Sequence, residues 1–120
     1  MSTNLRDGNR VSPKSAIPKT GTVATSGDNE LIAAPGENMR IVLLSWSWWN
    51  ETITETSVLL KSTTLNIDTY ISAISGGGKI FNVPTGFKVD LPENEPLILN
   101  LDGAMSHGYF ILYYEEEVIW

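Results

Sequence analysis

The chain has 120 residues, of which 42 % are hydrophobic, and a formal net charge of −6 at pH 7, so we expect one folded domain rather than a disordered chain. It contains no cysteine and one histidine, which excludes a disulfide framework, thiolate chemistry and the common zinc sites. The polar start MSTNLRDGNRVSPK and the absence of any apolar run of about 18 residues predict neither a signal peptide nor a membrane-spanning helix, and therefore synthesis in a cytoplasm.

The first 20 residues differ from the rest of the chain in net charge and in their content of large apolar residues. They have few large apolar side chains and two prolines, so we predict an extended basic arm over residues 1–20 and a folded body over residues 21–120. Four basic residues against one acidic residue give the arm +3, and four against thirteen give the body −9. An acidic body disfavours direct nucleic-acid binding. The arm can contact an acidic protein surface, or it can be a solvated tail. Its basic residues are Arg6, Arg10, Lys14 and Lys19.

From residue 21 onward, short apolar runs alternate with turn sequences. The breaks APGEN, SGGG, VPTG, PENEP and DGAMSHG are rich in glycine, proline and asparagine, which is typical of turns. Valine, isoleucine, threonine and aromatic residues dominate the runs, as in strands. About eight or nine strands and no helix predict an antiparallel β-sandwich of jelly-roll-like form. The predicted strands are TVATS, ELIAA, MRIVLLSWSWW, SVLLKSTT, IDTYISAI, KIFNV, FKVDL, LILNL and GYFILYYEEEVI.

The predicted strand MRIVLLSWSWW contains three of the four tryptophans. Because side chains alternate between the two faces of a strand, one continuous apolar row is expected to line the core. Trp49 falls on the opposite face at the end of the strand, where we predict a subunit interface; stacking on a sugar is the alternative. The predicted core row consists of Val42, Leu44, Trp46 and Trp48.

The last predicted strand, YFILYY, is apolar on both faces. A sandwich needs only one apolar face, so we predict that a neighbouring subunit or the arm covers the other. The terminal VIW follows three glutamates, and we expect it to dock on its own body or on a neighbour. The predicted subunit interface consists of Trp49, Tyr109, Ile111, Tyr113, Ile119 and Trp120.

No sequence pattern predicts a reaction. His107 has no cysteine partner or visible triad, and the acidic turn near Glu93 lacks the spacing of a calcium loop. SGGGK lacks the spacing of a phosphate-binding loop. We therefore predict no catalytic residue, no cofactor and no metal.

Three segments resemble the small β-sandwich virion proteins of tailed bacteriophages, which include head decoration or cement proteins. They are ELIAAPGENMRIVLLSWSWW, SVLLKSTTLNIDTYISAISGGG and NEPLILNLDGAMSHGYFILYYEEE, within about residues 30 to 117. The resemblance implies a non-enzymatic structural protein, often trimeric, on the capsid surface of the virion.

From this resemblance and the apolar surfaces, we expect a homotrimer that binds and stabilises a phage head, with the basic arm on the major capsid protein and no membrane partner. One alternative is a phage tail, fibre or adaptor component. The other is a carbohydrate-binding module, in which Trp49, and also Tyr70 or Tyr109, would stack on sugar rings.

Overall fold

The computed structural model describes residues 15–72 and 77–118. These ranges form nine strands and no helix. None of the described segments forms a helix that is long and apolar enough to cross a membrane. The strands are β1 (Ile17–Val23), β2 (Gly27–Ile32), β3 (Met39–Asn50), β4 (Thr56–Lys61), β5 (Asn66–Ser72), β6 (Gly78–Asn82), β7 (Val89–Asp90), β8 (Leu97–Leu101) and β9 (His107–Glu117).

The strands form two antiparallel sheets, which we call sheet A and sheet B. Sheet A has the order β1-β9-β3-β6, with β7 also paired to β3, and sheet B has the order β2-β8-β4-β5. All pairings are antiparallel. The predicted all-β antiparallel sandwich is thereby confirmed, whereas its jelly-roll form stays a prediction.

The core lies between the two sheets and is built from alternate residues of the long strands. Trp48, Ile111 and Leu99 are among its fully buried members. Val23, Ile67, Val83 and Val89 are partly buried against it. The core cluster consists of Leu31, Ile32, Ile41, Leu43, Trp46, Trp48, Val58, Leu60, Leu91, Leu97, Leu99, Leu101, Tyr109, Ile111 and Tyr113.

A β-bulge at Leu44 interrupts the alternation along β3. Leu43 is paired with Tyr113, but the next pair joins Ser45 to Leu112, so Leu44 has no opposite residue in β9. The carbonyl of Leu44 instead accepts a hydrogen bond from Val83 N at 2.9 Å. One extra residue on a strand reverses which residues face the core beyond it.

The bulge corrects the predicted core row. Trp46 and Trp48 belong to the core cluster, Val42 is buried but lies outside that cluster, and Leu44 is only half-buried. The prediction that all four share one face is wrong, because the uninterrupted alternation that it assumed ends at Leu44. Before the bulge, Ile41 and Leu43 contribute to the core instead.

β1 begins before the predicted end of the arm. Residues 17–20 are paired with β9, from Ile17 opposite Tyr113 to Thr20 opposite Phe110. The boundary predicted at residue 20 is therefore too late. The prediction treated Pro18 as evidence against a strand. Proline is nevertheless tolerated in an edge strand, where only one side of the backbone is paired. Of the arm's basic residues, Lys19 is exposed in β1, whereas Arg6, Arg10 and Lys14 lie outside the described residues.

Candidate interaction surfaces

The outer face of sheet A carries a broad surface without charge, which we call the neutral face. Its residues lie in three cross-strand rows over β1, β9, β3 and β6. Because directly paired residues point to the same side of a sheet, each row lies on one face. The rows are Thr22, Gly108, Trp49 and Gly78; Thr20, Phe110, Ser47 and Ile80; and Pro18, Leu112, Ser45 and Asn82.

Among these described positions, none is charged, although the chain has a net charge of −6. Ile80 is 77 % exposed, Phe110 39 % and Trp49 37 %. An outer sheet face that meets water normally alternates apolar core residues with polar or charged residues outside. The neutral face is therefore a candidate for burial against another protein surface.

Glycine at position 108 shapes the neutral face around Trp49. A Cβ atom at Gly108 would lie 2.3 Å from Cε2 of Trp49, so the indole rests directly on the glycine backbone. The Trp49 side chain therefore covers Gly108, and the residue is 37 % exposed.

A charged cluster borders the neutral face at one end. The Arg40 guanidinium contacts Glu116 and lies 3.1 Å from Asp90, and Lys88 Nζ is 2.7 Å from Glu116. Burial opposes ionisation of Glu116, but hydrogen bonds from Lys88 and Arg40 outweigh it and lower the pKa of this carboxyl. The hydrogen bond to Glu116 likewise raises the pKa of Arg40. These charges satisfy one another, so the cluster forms a rim rather than a free charged patch.

The outer face of sheet B is different in character. It presents Asp28 and Glu30 on β2 and Lys61 on β4. Asp28 accepts a hydrogen bond from Asn100 of β8 at 2.7 Å. Over β2 and β4 this face has the polar character of a surface that stays in water, whereas at the edge strand β5 it carries the 54 % exposed Ile71, which is paired with Ser57.

The two edges of the sandwich also differ. One edge is formed by β1 and β2, which carry Pro18, Lys19, Asp28 and Glu30, and β2 has a register shift after Glu30. Proline, lysine, other charges and bulges are the features that prevent an edge strand from pairing with another chain. This edge is therefore protected.

The opposite edge is formed by β5 and β6, which contact each other across the sandwich. We call its apolar side chains the β5–β6 edge. Their exposure ranges from 38 % to 54 %. The neutral face meets this edge at Ile80. The β5–β6 edge consists of Leu65, Tyr70, Ile71 and Phe81.

An open groove of about 360 Å³ runs between the sheets at this edge. The rings of Trp46 and Phe81 stack in its wall with centroids 4.9 Å apart and planes inclined by 27°. The groove is mainly apolar but contains one charged pair. Its lining residues are Trp46, Leu65, Asn66, Ile67, Asp68, Lys79, Phe81 and Val89.

Asp68 joins the two sheets inside the groove. Its Oδ2 accepts a hydrogen bond from Nε1 of Trp46 at 2.8 Å, and its Oδ1 accepts one from Lys79 Nζ at 2.6 Å. Oδ1 also accepts the backbone N–H of Thr69. The carboxylate is therefore fully used in positioning its neighbours, while the Lys79 ammonium keeps further donors for a ligand.

The predicted interface on β9 is corrected by the structure. Tyr109, Ile111 and Tyr113 are 7 %, 0 % and 8 % exposed and belong to the core cluster. Prediction of these three as interface residues, and of Tyr109 as a sugar platform, is therefore wrong. The sequence showed that both faces of this strand are apolar but could not show which one faces the other sheet. The exposed large apolar residue on β9 is Phe110.

The remaining residues predicted for the subunit interface or for sugar stacking do not lie together on one surface. Trp49 lies on the neutral face, and its part in a subunit contact stays a prediction. Tyr70 is 42 % exposed on β5 in the other sheet, so the two rings do not form one platform. Ile119 and Trp120 lie outside the described residues.

Sequence analysis missed Ile80, Phe81 and Asp68 as surface or groove residues. Alternation in KIFNV would have placed Ile80 and Phe81 on opposite faces, but only the topology shows that β6 is an edge strand. The partnership of Asp68 with Trp46 spans 22 positions and left no local signal.

No catalytic constellation is visible in the described part of the chain. His107 is fully buried, and its Nδ1 lies 2.8 Å from the carbonyl of Met105. Groups of three or more residues suited to hold a metal ion are absent from residues 15–72 and 77–118. No protein-family model matches the chain, and no curated protein is significantly similar to it.

Proposed function

We propose that this chain is a non-enzymatic structural protein of a bacteriophage virion, a decoration or cement protein that binds the head lattice as a homotrimer. The observation that carries the proposal is the neutral face. Charged residues are depleted from the centres of protein interfaces and aromatic residues are enriched there. Trp49 and Phe110 on a face without charged residues have this composition.

The strand order supports a jelly-roll architecture for the sandwich. Successive strands alternate between the sheets from β1 to β4, and β8 and β9 return to lie between earlier strands of their sheets. This order contains the long return connections of Greek-key motifs, two of which make a jelly roll. Such a domain offers rigid faces and edges for assembly.

The basic arm fits a second contact, with the major capsid protein. β1 starts at Ile17 and forms one edge of sheet A, and the basic residues Arg6, Arg10 and Lys14 precede it in the sequence. Their positive charge suits an acidic or polar capsid surface, and many weak contacts on a lattice become effective together.

The proposal can be tested on purified phage particles produced by the strain that encodes the chain. Mass spectrometry of purified particles should find its peptides in the head fraction. Isolated heads that lack the protein should then bind the full chain, and a version that begins at residue 15 should bind more weakly with a smaller dependence on salt. Absence of the chain from the particles would refute the proposal.

A tail, fibre or adaptor component is the alternative within the virion. Separation of heads from tails before mass spectrometry distinguishes the two positions. Recovery of the chain with tails alone would replace the decoration role with this one.

The groove supports carbohydrate binding as a second candidate function. Its stacked Trp46 and Phe81 rings lie beside Asn66 and the Lys79 ammonium, and sugars are bound by aromatic faces together with polar groups. A glycan screen tests this candidate. Binding that is lost in Phe81→Ala and kept in Trp49→Ala would place sugars in the groove, and absence of binding to any glycan would reject this function.

A further inference from the structure

We propose that the free edge of β6 pairs with β6 of a second copy of the chain, so that sheet A continues from one copy into the other across a two-fold axis. The occupant of this edge is therefore an identical strand that runs antiparallel to it. This contact goes beyond the proposed function, because it joins copies, or trimers of them, in pairs.

The backbone of β6 faces β3 only at every second residue. At one end of the strand, Asn50 N donates a hydrogen bond to Gly77 O at 2.7 Å, and at the other end Val83 N donates one to Leu44 O at 2.9 Å. The bonded pairs of an antiparallel ladder alternate with pairs that are not bonded. Odd-numbered residues from 77 to 83 therefore direct their N–H and C=O groups to β3, and the residues between them direct theirs away from it.

The outward residues of β6 are Gly78, Ile80 and Asn82. In the part of the chain that the structure describes, no strand pairs with β6 on this side. Three N–H and three C=O groups are thus presented along an edge whose last three residues are exposed. Such a row of backbone groups is a template for an added strand.

Other edge strands of the sandwich carry features that oppose pairing, whereas β6 does not. β1 contains Pro18 and the exposed Lys19. On β5, the Asp68 carboxylate accepts the N–H of Thr69 at 2.9 Å, which occupies one edge donor. β6 has no proline and no register shift against β3, and its one charged residue, Lys79, is held by Asp68 at 2.6 Å. This edge therefore lacks the usual protection.

An identical strand matches this edge in a register that brings no like charges together. A two-fold axis at Ile80, the central outward residue, places Ile80 opposite its own copy and Gly78 opposite Asn82 of the second copy. Six backbone hydrogen bonds then join the strands. On the groove side, Lys79 lies opposite Phe81 of the second copy rather than opposite another lysine. An aromatic ring attracts a cation, whereas like charges directly opposite destabilise a strand pair.

The same contact covers exposed apolar side chains. Ile80 is 77 % exposed and Phe81 is 38 % exposed, and pairing gives each of them a neighbour from the second copy. The two neutral faces then lie side by side as one continuous surface, with a β1 strand at each end. A two-fold contact between identical surfaces is closed after two copies, and Pro18 and Lys19 on β1 oppose further growth of the sheet.

Ile80→Pro tests the backbone pairing directly. Because the Ile80 N–H points away from β3, proline removes a donor that the pairing needs and no ladder bond within the chain. Two of the six bonds between copies are lost, which should raise the dissociation constant of the pair by about 30-fold. Light scattering over a concentration series measures this constant, and circular dichroism verifies that the variant is folded.

Ile80→Thr is the matched control, because it keeps the N–H and shortens the apolar side chain. It should raise the dissociation constant by less than about tenfold. A loss in Ile80→Thr as large as that in Ile80→Pro would show that the side chain, and not the backbone edge, makes the contact, and would overturn the inference.

Disulfide cross-linking tests the register, because the chain has no cysteine of its own. In a bonded antiparallel pair the Cα atoms lie about 5.5 Å apart, within the range of a disulfide. Ile80→Cys should therefore form covalent dimers under oxidation. Ser47→Cys is the control: Ser47 is paired with Ile80, but three strand spacings, or about 14 Å, would separate it from its own copy. Covalent dimers of Ser47→Cys, or none of Ile80→Cys, would overturn the inference.

The mass of the wild type separates this inference from the proposed homotrimer. Dimers that become monomers in Ile80→Pro would support the edge pairing without a trimer, and hexamers that become trimers would support both contacts. A wild-type trimer whose mass is unchanged in Ile80→Pro would overturn the edge pairing and leave the homotrimer standing. A wild-type monomer at all concentrations would also overturn it, and the virion role would then be decided by particle composition alone.

Discussion

Replacing Asp68 by alanine tests whether the hydrogen bond across the groove stabilises the sandwich. Asp68 Oδ2 is the acceptor for Nε1 of Trp46, a residue that is only 4 % exposed. A buried donor without an acceptor costs about 1–3 kcal/mol, and the partly exposed pair with Lys79 adds about 0–1 kcal/mol. We expect Asp68→Ala to reduce the free energy of unfolding by about 2–3 kcal/mol, or Tm by about 10 °C.

Urea unfolding followed by tryptophan fluorescence, at one fixed protein concentration, measures this loss. The same substitution in a Trp46→Phe background should cost less than about 1 kcal/mol, because phenylalanine has no N–H to leave unpaired. Asp28→Ala, at an exposed carboxylate on sheet B, is the control and should cost less than about 0.5 kcal/mol. An equal loss from Asp68→Ala in both backgrounds would refute the reasoning.

Three further substitutions test other parts of the molecule. Trp48→Phe should cost less stability than Trp46→Phe in urea unfolding, because the buried Nε1 of Trp48 has no partner within the described residues. Gly78→Ala should lower stability by about 1–3 kcal/mol, since its Cβ would lie 1.9 Å from the Trp48 carbonyl oxygen, whereas Gly103→Ala should be nearly neutral; equal thermal melts would contradict this. Glu116→Gln should make Tm fall less steeply as pH decreases below 4.5. The ionised Glu116 carboxylate stabilises the fold fully above its usual pKa of 4.5, and this stabilisation is lost as pH falls through its lowered pKa. A Tm profile against pH that is the same as that of the wild type would contradict this prediction.

Local sequence patterns were sufficient to predict the strands and the fold class. Runs rich in β-branched and aromatic residues ended at glycine, proline and asparagine, and the structure has strands over most of these runs. Asn38 and Asn94, with φ of 66° and 55°, lie in two of the predicted turns. Asparagine tolerates this conformation better than most residues, so these turns are determined by local chemistry.

The facing of the strands could not be predicted from the same patterns. Alternation divides the residues of a strand between its two faces, but it does not show where a bulge interrupts it. The bulge at Leu44 reverses which residues of β3 face the core beyond that point. In β9 the residues on both faces are apolar, so the sequence could not predict whether Ile111 or Phe110 faces the core. Packing of the second sheet decided between them, because only one side of sheet A can be covered within one chain.

The sequence by itself determined an all-β chain with an acidic body, a basic start and more apolar strand surface than one core requires. Those properties depend on composition and on neighbours along the chain. Only the tertiary structure decided that the surplus lies on the neutral face and the β5–β6 edge, and that Asp68 pairs with Trp46. These features depend on which strands become neighbours and which become edges, and contacts between residues distant in sequence determine both.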